Sequence, residues 1–114
     1  MSERALPLLL DDIADAICNI LDYTKGMAQH VYEQDLKTRQ AVERNFEIMG
    51  EATSRIPSIF KNQHPSINWR QLKDFRNFII HDYFGIDNNI VWQVISITLP
   101  DFLEQIKDLR NQLK

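Results

Sequence analysis

An arginine, a histidine and a tyrosine lie close together in the sequence, at Arg76, His81 and Tyr83. The first two residue types suit cleavage of an RNA phosphodiester bond without a metal ion. A histidine can accept the proton of a 2'-hydroxyl or deliver one to the leaving oxygen, because its ordinary pKa lies near neutrality. An arginine can stabilise charge on the phosphorus-bound oxygens through forked hydrogen bonds. Arg76 and His81 are therefore the candidate catalytic pair.

The spacing of this pair raises a geometric problem. Arg76 and His81 lie roughly 140° apart on a regular helix, so one straight helix would not make them neighbours. The length of the arginine, unwinding of the helix before Gly85, or a second copy of the chain could bring them together. Asn77 precedes His81 by one helical turn and can hydrogen-bond a ring nitrogen, which would fix the histidine tautomer. Asn77 is thus a candidate supporting residue.

The same residues also fit an ordinary surface helix. In that interpretation His81 is an exposed residue at a helix end, Arg76 packs only its aliphatic stem, and Tyr83 is half-buried. On spacing alone this alternative is the better supported, because the composition carries no nuclease signature.

Two amphipathic helices are predicted in the first half of the chain. Apolar residues recur at helical spacing over about residues 6–26, with Pro7 suited to the first turn and Gly26 to the end. The second helix is predicted from an N-cap at Asp35 to about Arg55.

Two further helices are predicted in the second half. Residues 57–68 carry two prolines and several turn formers, which indicates a connector with at most one helical turn. The third helix begins after an N-cap at Asn68 and carries residues 76–83. Asp87 is placed to cap the fourth helix, which Pro100 should kink or divide. Four helices with short connections predict an all-α, antiparallel four-helix bundle.

The second helix contains two unusual features. Asn45 falls in the middle of its apolar arc, and a buried asparagine needs hydrogen-bond partners in the core or in a polar cleft. We therefore include Asn45 among the candidate supporting residues. A charged stripe at spacings of three and four favours ion pairs, and a salt-bridged surface is its preferred interpretation. Its members are Arg44, Glu47, Glu51 and Arg55.

The overall composition narrows the class of protein. A chain of 114 residues with 44% hydrophobic and 25% charged residues predicts one globular domain over residues 1–114. No apolar run is long enough to span a membrane, and the N-terminus lacks the pattern of a signal peptide, so we expect a cytoplasmic protein.

No motif for a metal or a cofactor is present. The single cysteine, Cys18, lies within an apolar helical pattern and is predicted to be buried and inert.

The net charge of -3 argues against a protein that coats nucleic acid with its whole surface. Any contact with RNA must come from a local basic patch. Arg70, Lys73, Asn77 and His81 recur at helical spacing along the third helix and could form such a track. Arg70 and Lys73 are the predicted RNA-binding residues.

Several segments together resemble the HepT family, the HEPN-domain toxins of MNT/HEPN toxin and antitoxin pairs. Residues 76–85, Arg-Asn-Phe-Ile-Ile-His-Asp-Tyr-Phe-Gly, look like the family signature Arg-x4-His-x-Tyr. Residues 44–52 resemble the family's second-helix motif, and residues 22–26 resemble the end of its first helix. Residues 90–92 with residues 99–100 resemble its fourth helix. The resemblance covers almost the whole chain, in the family's order and spacing.

The resemblance implies an all-helical HEPN bundle that forms a homodimer or a higher oligomer. It implies a metal-independent endoribonuclease with its site in the dimer cleft, where Arg76 and His81 match the catalytic pair. Tyr83 matches the position that a cognate nucleotidyltransferase antitoxin modifies with AMP taken from ATP, which silences the toxin. Two alternatives remain open. The chain could be a non-catalytic HEPN module that binds nucleotide or a partner, or it could be the antitoxin of a nucleotidyltransferase toxin.

Overall fold

Every regular element in the described part of the chain is a helix. The computed structural model describes residues 4–78 and 87–113. The predicted all-α fold class is therefore confirmed. The α-helices are α1 (Leu6–Tyr23), α2 (Gln29–Gln34), α3 (Leu36–Arg55), α4 (Ser58–Gln63), α5 (Trp69–Asp74), α6 (Asn88–Gln93) and α7 (Leu99–Gln112). A 3-10 turn (Phe75–Phe78) follows α5, and a π-helical segment (Val94–Thr98) joins α6 to α7.

The core is centred on α1, which packs against both α3 and α7, and α5 and the 3-10 turn pack on α3. Each long helix buries one apolar face, as the helical periodicity predicts. The fully buried side chains include residues from all of these elements, namely Leu10, Ile13, Ile17, Ile20, Val42, Phe46, Met49, Leu72, Phe75, Leu99 and Ile106. This bundle carries the surface on which Arg76 lies.

Side-chain caps start three of the helices at the predicted residues. Asp35 accepts hydrogen bonds from the backbone N–H and the hydroxyl of Thr38, at 3.1 and 2.8 Å. These two bonds lower the pKa of the Asp35 carboxyl below its ordinary value. Asn68 accepts from the backbone N–H of Gln71 at 3.0 Å, and Asp87 caps α6 in the same manner at 2.8 Å. The predicted starts of α3, α5 and α6 are confirmed.

The end of α1 and the environment of Cys18 differ from the predictions. The helix ends at Tyr23 instead of near Gly26, which adopts a left-handed φ of 78° in the following turn. Cys18 is exposed, so the prediction of a buried cysteine was wrong. Cys18 lies about 100° around the helix from the buried Ile17, because each residue of an α-helix advances by that angle.

Two short helices were not predicted as such. The helix α2 has one buried residue, Tyr32, whose ring packs on Trp92 with 5.3 Å between ring centroids. One buried residue gives no periodic pattern, so the sequence carries little signal for this helix. The helix α4 is six residues long and exceeds the single turn predicted for the connector. It is anchored by the burial of Phe60.

The last helix is divided next to Pro100, as predicted. Pro100 lies in the first turn of α7, and its missing N–H removes a donor from the hydrogen-bond ladder, because the helical backbone continues from the preceding segment into α7. The preceding residues widen into the π-helical segment, a local change that is common where the regular hydrogen-bond ladder is interrupted.

No helix of the described residues is long and apolar enough to cross a membrane.

Candidate functional site

The site begins where α3 lies against the end of α5. Gly50 is buried at this contact. A Cβ atom built on Gly50 would lie 2.7 Å from the carbonyl oxygen of Lys73 and 2.8 Å from the Cβ of Arg76. Both distances are shorter than van der Waals contact, so a larger residue would push the two helices apart. The absence of a side chain at Gly50 therefore allows the backbone of α3 to touch the stem of Arg76.

An aromatic cluster holds the 3-10 turn on both sides of Arg76. The ring of Phe46 in α3 lies 5.3 Å from the ring of Phe75 and 5.1 Å from that of Phe78, measured between ring centroids. Residues three apart share one side of a 3-10 helix, so Phe75 and Phe78 both face the core. Arg76 and Asn77, which lie between them, are consequently exposed. The turn presents these two side chains on a fixed support.

The guanidinium of Arg76 forms an ion pair with Glu51 of α3. The Nη1 atom of Arg76 lies 3.5 Å from Oε2 of Glu51, and the other carboxylate oxygen lies 3.9 Å from Nε of Arg55. Glu51 is thus shared between two arginines. The side chains of Arg76 and Glu51 are 42% and 53% exposed, so the pair contributes at most about 1 kcal/mol to stability. The pair places a carboxylate beside the Arg76 guanidinium.

The predicted charged stripe of α3 is ion-paired, as expected. Arg44 contacts Glu47 at 2.9 Å, and Arg55 contacts Glu51 at 3.9 Å. The stripe lines an open cleft of about 370 Å³ between α3 and α1. The sequence did not reveal that Glu51 also reaches Arg76, because that contact joins two different helices.

The structure describes only one residue of the candidate catalytic pair. Arg76 and its neighbour Asn77 are described, whereas His81 and Tyr83 lie outside the described residues. The pairing of Arg76 with His81, the contact of Asn77 with His81 and the role of Tyr83 therefore stay predictions.

Asn45 is buried, as predicted, with 6% of its surface exposed. Its side-chain N–H donates to the carbonyl oxygen of Ala41 at 2.9 Å, and its side-chain oxygen accepts from Asn19 of α1 at 3.1 Å. Both bonds join parts of the scaffold, and neither involves Arg76. The structure therefore gives Asn45 a role in joining α3 to α1, and a supporting role at the site stays a prediction.

The two predicted RNA-binding residues have different neighbours. Arg70 is 92% exposed, lies 3.9 Å from Asp74, and lines a groove that faces Ile90 and Val94. Lys73 is exposed. Burial and, next, the positive charge of Lys73 lower the pKa of the Lys61 ammonium group in α4.

Gly50 and Glu51 belong to the site but were not among the site residues predicted from the sequence. A glycine inside a helix costs about 1 kcal/mol relative to alanine, so its presence in α3 was a signal of close packing. Glu51 belongs to a visible charged stripe, but its contact with Arg76 required the fold. Among residues 4–78 and 87–113 there is no group of three His, Cys, Asp or Glu that could hold a metal ion.

Comparisons with known proteins agree on one family. The family model described as "Ribonuclease HepT-like" matches residues 13–109. The chain is 39% identical over 102 residues to the "Probable ribonuclease HepT" of Thermococcus cleftensis, which covers 90% of this chain and 93% of that protein. It is 31% identical over 114 residues to a candidate RNase of Methanocaldococcus jannaschii, which covers 100% of this chain and 94% of that protein. No solved structure gives a significant match to the chain.

The substitution Gly50→Ala tests the contact between α3 and α5. We expect it to lower the free energy of unfolding, because overpacking costs about 1–3 kcal/mol and outweighs the gain of up to about 1 kcal/mol in helix propensity. Denaturant unfolding measures the sign of the change. A free energy of unfolding that rises by the helix-propensity gain would contradict the close approach. Gly26→Ala is the control for backbone strain alone, because a Cβ there meets nothing within 4 Å while φ is 78°.

Proposed function

We propose that this chain, which belongs to the HepT-like ribonuclease family, is an endoribonuclease that cleaves RNA at the surface around Arg76 without a metal ion. The observation that carries the proposal is the exposed guanidinium of Arg76, with the Gly50 contact beneath its stem and Glu51 3.5 Å from its Nη1 atom. The family match supports the class of reaction.

Arg76 would bind the non-bridging oxygens of the reacting phosphate. A guanidinium carries five N–H donors in a rigid fork, so a carboxylate on one edge leaves further donors for a phosphate. Glu51 contacts Nη1 and would hold the remaining donors in a constant direction. Donors that are oriented before the reaction stabilise developing charge more effectively than donors that must reorient.

His81 would transfer the proton in the same reaction. Cleavage by a 2'-hydroxyl needs one proton removed from that hydroxyl and one delivered to the leaving oxygen, and a single histidine supplies one of these transfers. Two chains placed face to face would supply two histidines and two arginines. We therefore propose a homodimer or a higher oligomer in which the site lies between protomers.

The proposed biological role is that of a toxin, with a cognate nucleotidyltransferase as its antitoxin. In this role the antitoxin transfers AMP from ATP to the hydroxyl of Tyr83, and pyrophosphate leaves. Tyr83 follows His81 by two residues in the sequence. The added phosphodiester carries a negative charge, which would compete with RNA for Arg76.

RNA cleavage in the presence of EDTA tests the proposed activity. We expect the wild-type chain to cleave a single-stranded oligoribonucleotide, and Arg76→Ala to lower kcat/KM by about 10²–10³-fold, as the loss of an oxyanion donor does. We expect His81→Ala to lower it by about 10²–10⁴-fold. Gel-based single-turnover kinetics measures both changes.

The matched control for these variants is Arg110→Ala, which removes an arginine that pairs with Asp11 of α1. It should leave cleavage unchanged. EDTA-resistant cleavage that survives both Arg76→Ala and His81→Ala would show that the assignment is wrong. A monomeric variant that cleaves RNA at the full rate would contradict the shared site.

Incubation with the cognate nucleotidyltransferase and ATP tests the proposed regulation. We expect intact-mass spectrometry to show the addition of AMP to the wild-type chain but not to Tyr83→Phe, and the modified chain to lose RNA cleavage. Expression of each gene alone tests the direction of toxicity. Growth arrest by the nucleotidyltransferase alone, relieved by this chain, would reverse the assigned roles.

A further inference from the structure

Two lysines lie on neighbouring helices beside the site, Lys61 on α4 and Lys73 on α5. The helix α4 packs on α5 through Phe60 and Trp69, whose ring centroids are 6.3 Å apart. The indole N–H of Trp69 also donates to the carbonyl oxygen of His64 at 3.0 Å, which ties the end of α4 to the start of α5. Lys61 follows Phe60, and Lys73 lies one helical turn after Trp69 on the same side of α5. The packing of α4 on α5 therefore places the two lysines on neighbouring helices, where the charge of Lys73 acts on the Lys61 ammonium group.

Neither of these lysines forms an ion pair with a described residue of the chain. Within the described residues, neither Lys61 nor Lys73 has an Asp or Glu oxygen within 4.0 Å, whereas Arg55, Arg70 and Arg76 each have one. Lys61 is partly buried, and this burial, together with the charge of Lys73, lowers the pKa of its ammonium group. Two unpaired like charges destabilise the chain itself, but they suit a bound anion.

The lysine pair lies next to Arg76. Trp69, Lys73 and Arg76 recur at intervals of four and three residues, so they share one side of the helical segment. The rise from Lys73 to Arg76 is about 5 Å along the axis. The carbonyl oxygen of Lys73 and the Cβ of Arg76 both lie against Gly50, which places the two residues at the same contact with α3. A strand held at Arg76 would pass the lysine pair.

We propose that Lys61 and Lys73 form a binding subsite for an RNA backbone phosphate next to the phosphate held at Arg76. The proposal rests on the proposed ribonuclease function and adds Lys61, which no sequence pattern selects. Arg70 lies 3.9 Å from Asp74, and its side chain lines the groove toward α6.

Binding of an uncleavable RNA tests the subsite independently of catalysis. The probe is a fluorescent oligoribonucleotide with 2'-O-methyl groups, which lacks the attacking hydroxyl, and anisotropy is recorded over a series of salt concentrations. Lys61→Gln and Lys73→Gln should each reduce the slope of log K against log salt by about 0.7, the value expected for one lost phosphate contact to a single strand. Arg110→Gln is the matched control, because Arg110 of α7 pairs with Asp11 of α1 at 2.8 Å, and it should leave the slope unchanged.

The remaining outcomes separate the subsite from the proposed function. In cleavage assays the two lysine variants should raise KM and leave kcat unchanged. Lys61→Arg and Lys73→Arg keep the charge and should keep the slope, which guards against a loss caused by misfolding. If the wild-type chain binds the probe with the lysine-dependent slope but cleaves no RNA, the ribonuclease proposal fails and the subsite stands. If it cleaves RNA and the lysine variants keep the wild-type slope, or if Arg110→Gln lowers the slope equally, the subsite is overturned.

Discussion

The contact between two backbones at Gly50 is the constraint on which the site depends. Because residue 50 has no side chain, α3 lies directly against Lys73 and the stem of Arg76. A Cβ atom at residue 50 would lie closer to both residues than van der Waals contact allows. The neighbouring residue, Glu51, is then within 3.5 Å of the Arg76 guanidinium. The aromatic cluster of Phe46, Phe75 and Phe78 holds the same segment from the core side. One close approach therefore determines both where Arg76 emerges and which carboxylate it contacts.

The charges around this contact explain how an acidic chain could bind RNA. The net charge is -3, and Arg44, Arg55 and Arg70 are paired with carboxylates, so much of this surface offers little attraction to a phosphate backbone. Arg76 and the lysine pair differ from these arginines. Arg76 shares its carboxylate with Arg55, and Lys61 and Lys73 have no carboxylate within 4.0 Å in the described part of the chain. A local excess of positive charge is sufficient to contact an RNA phosphate backbone, because salt at moderate ionic strength screens the interaction between exposed charges that are more than about 10 Å apart.

The parts of the structure that follow from local patterns could be predicted from the sequence. Patterns among residues close in sequence predicted the cap at Asp35, the burial of Asn45 and the division of the last helix at Pro100. The contact of Glu51 with Arg76 could not be predicted, because it joins residues that only the packing of α3 on the 3-10 turn brings together. The shift from α-helix to 3-10 helix after Asp74 was also missed, since the apolar pattern continues through it. His81 and Tyr83 were identified from their sequence motif alone.

A double-mutant cycle between Glu51 and Arg76 tests the central claim most directly. The rate of RNA cleavage, kcat, is measured for the wild-type chain, Glu51→Gln, Arg76→Lys and the double variant, because coupling between two residues appears as a departure from additivity. If Glu51 acts by orienting Arg76, Glu51→Gln lowers kcat in the wild-type background and has little further effect once Arg76 is replaced. Equal losses from Glu51→Gln in both backgrounds, or no loss in either, would contradict this account of the site.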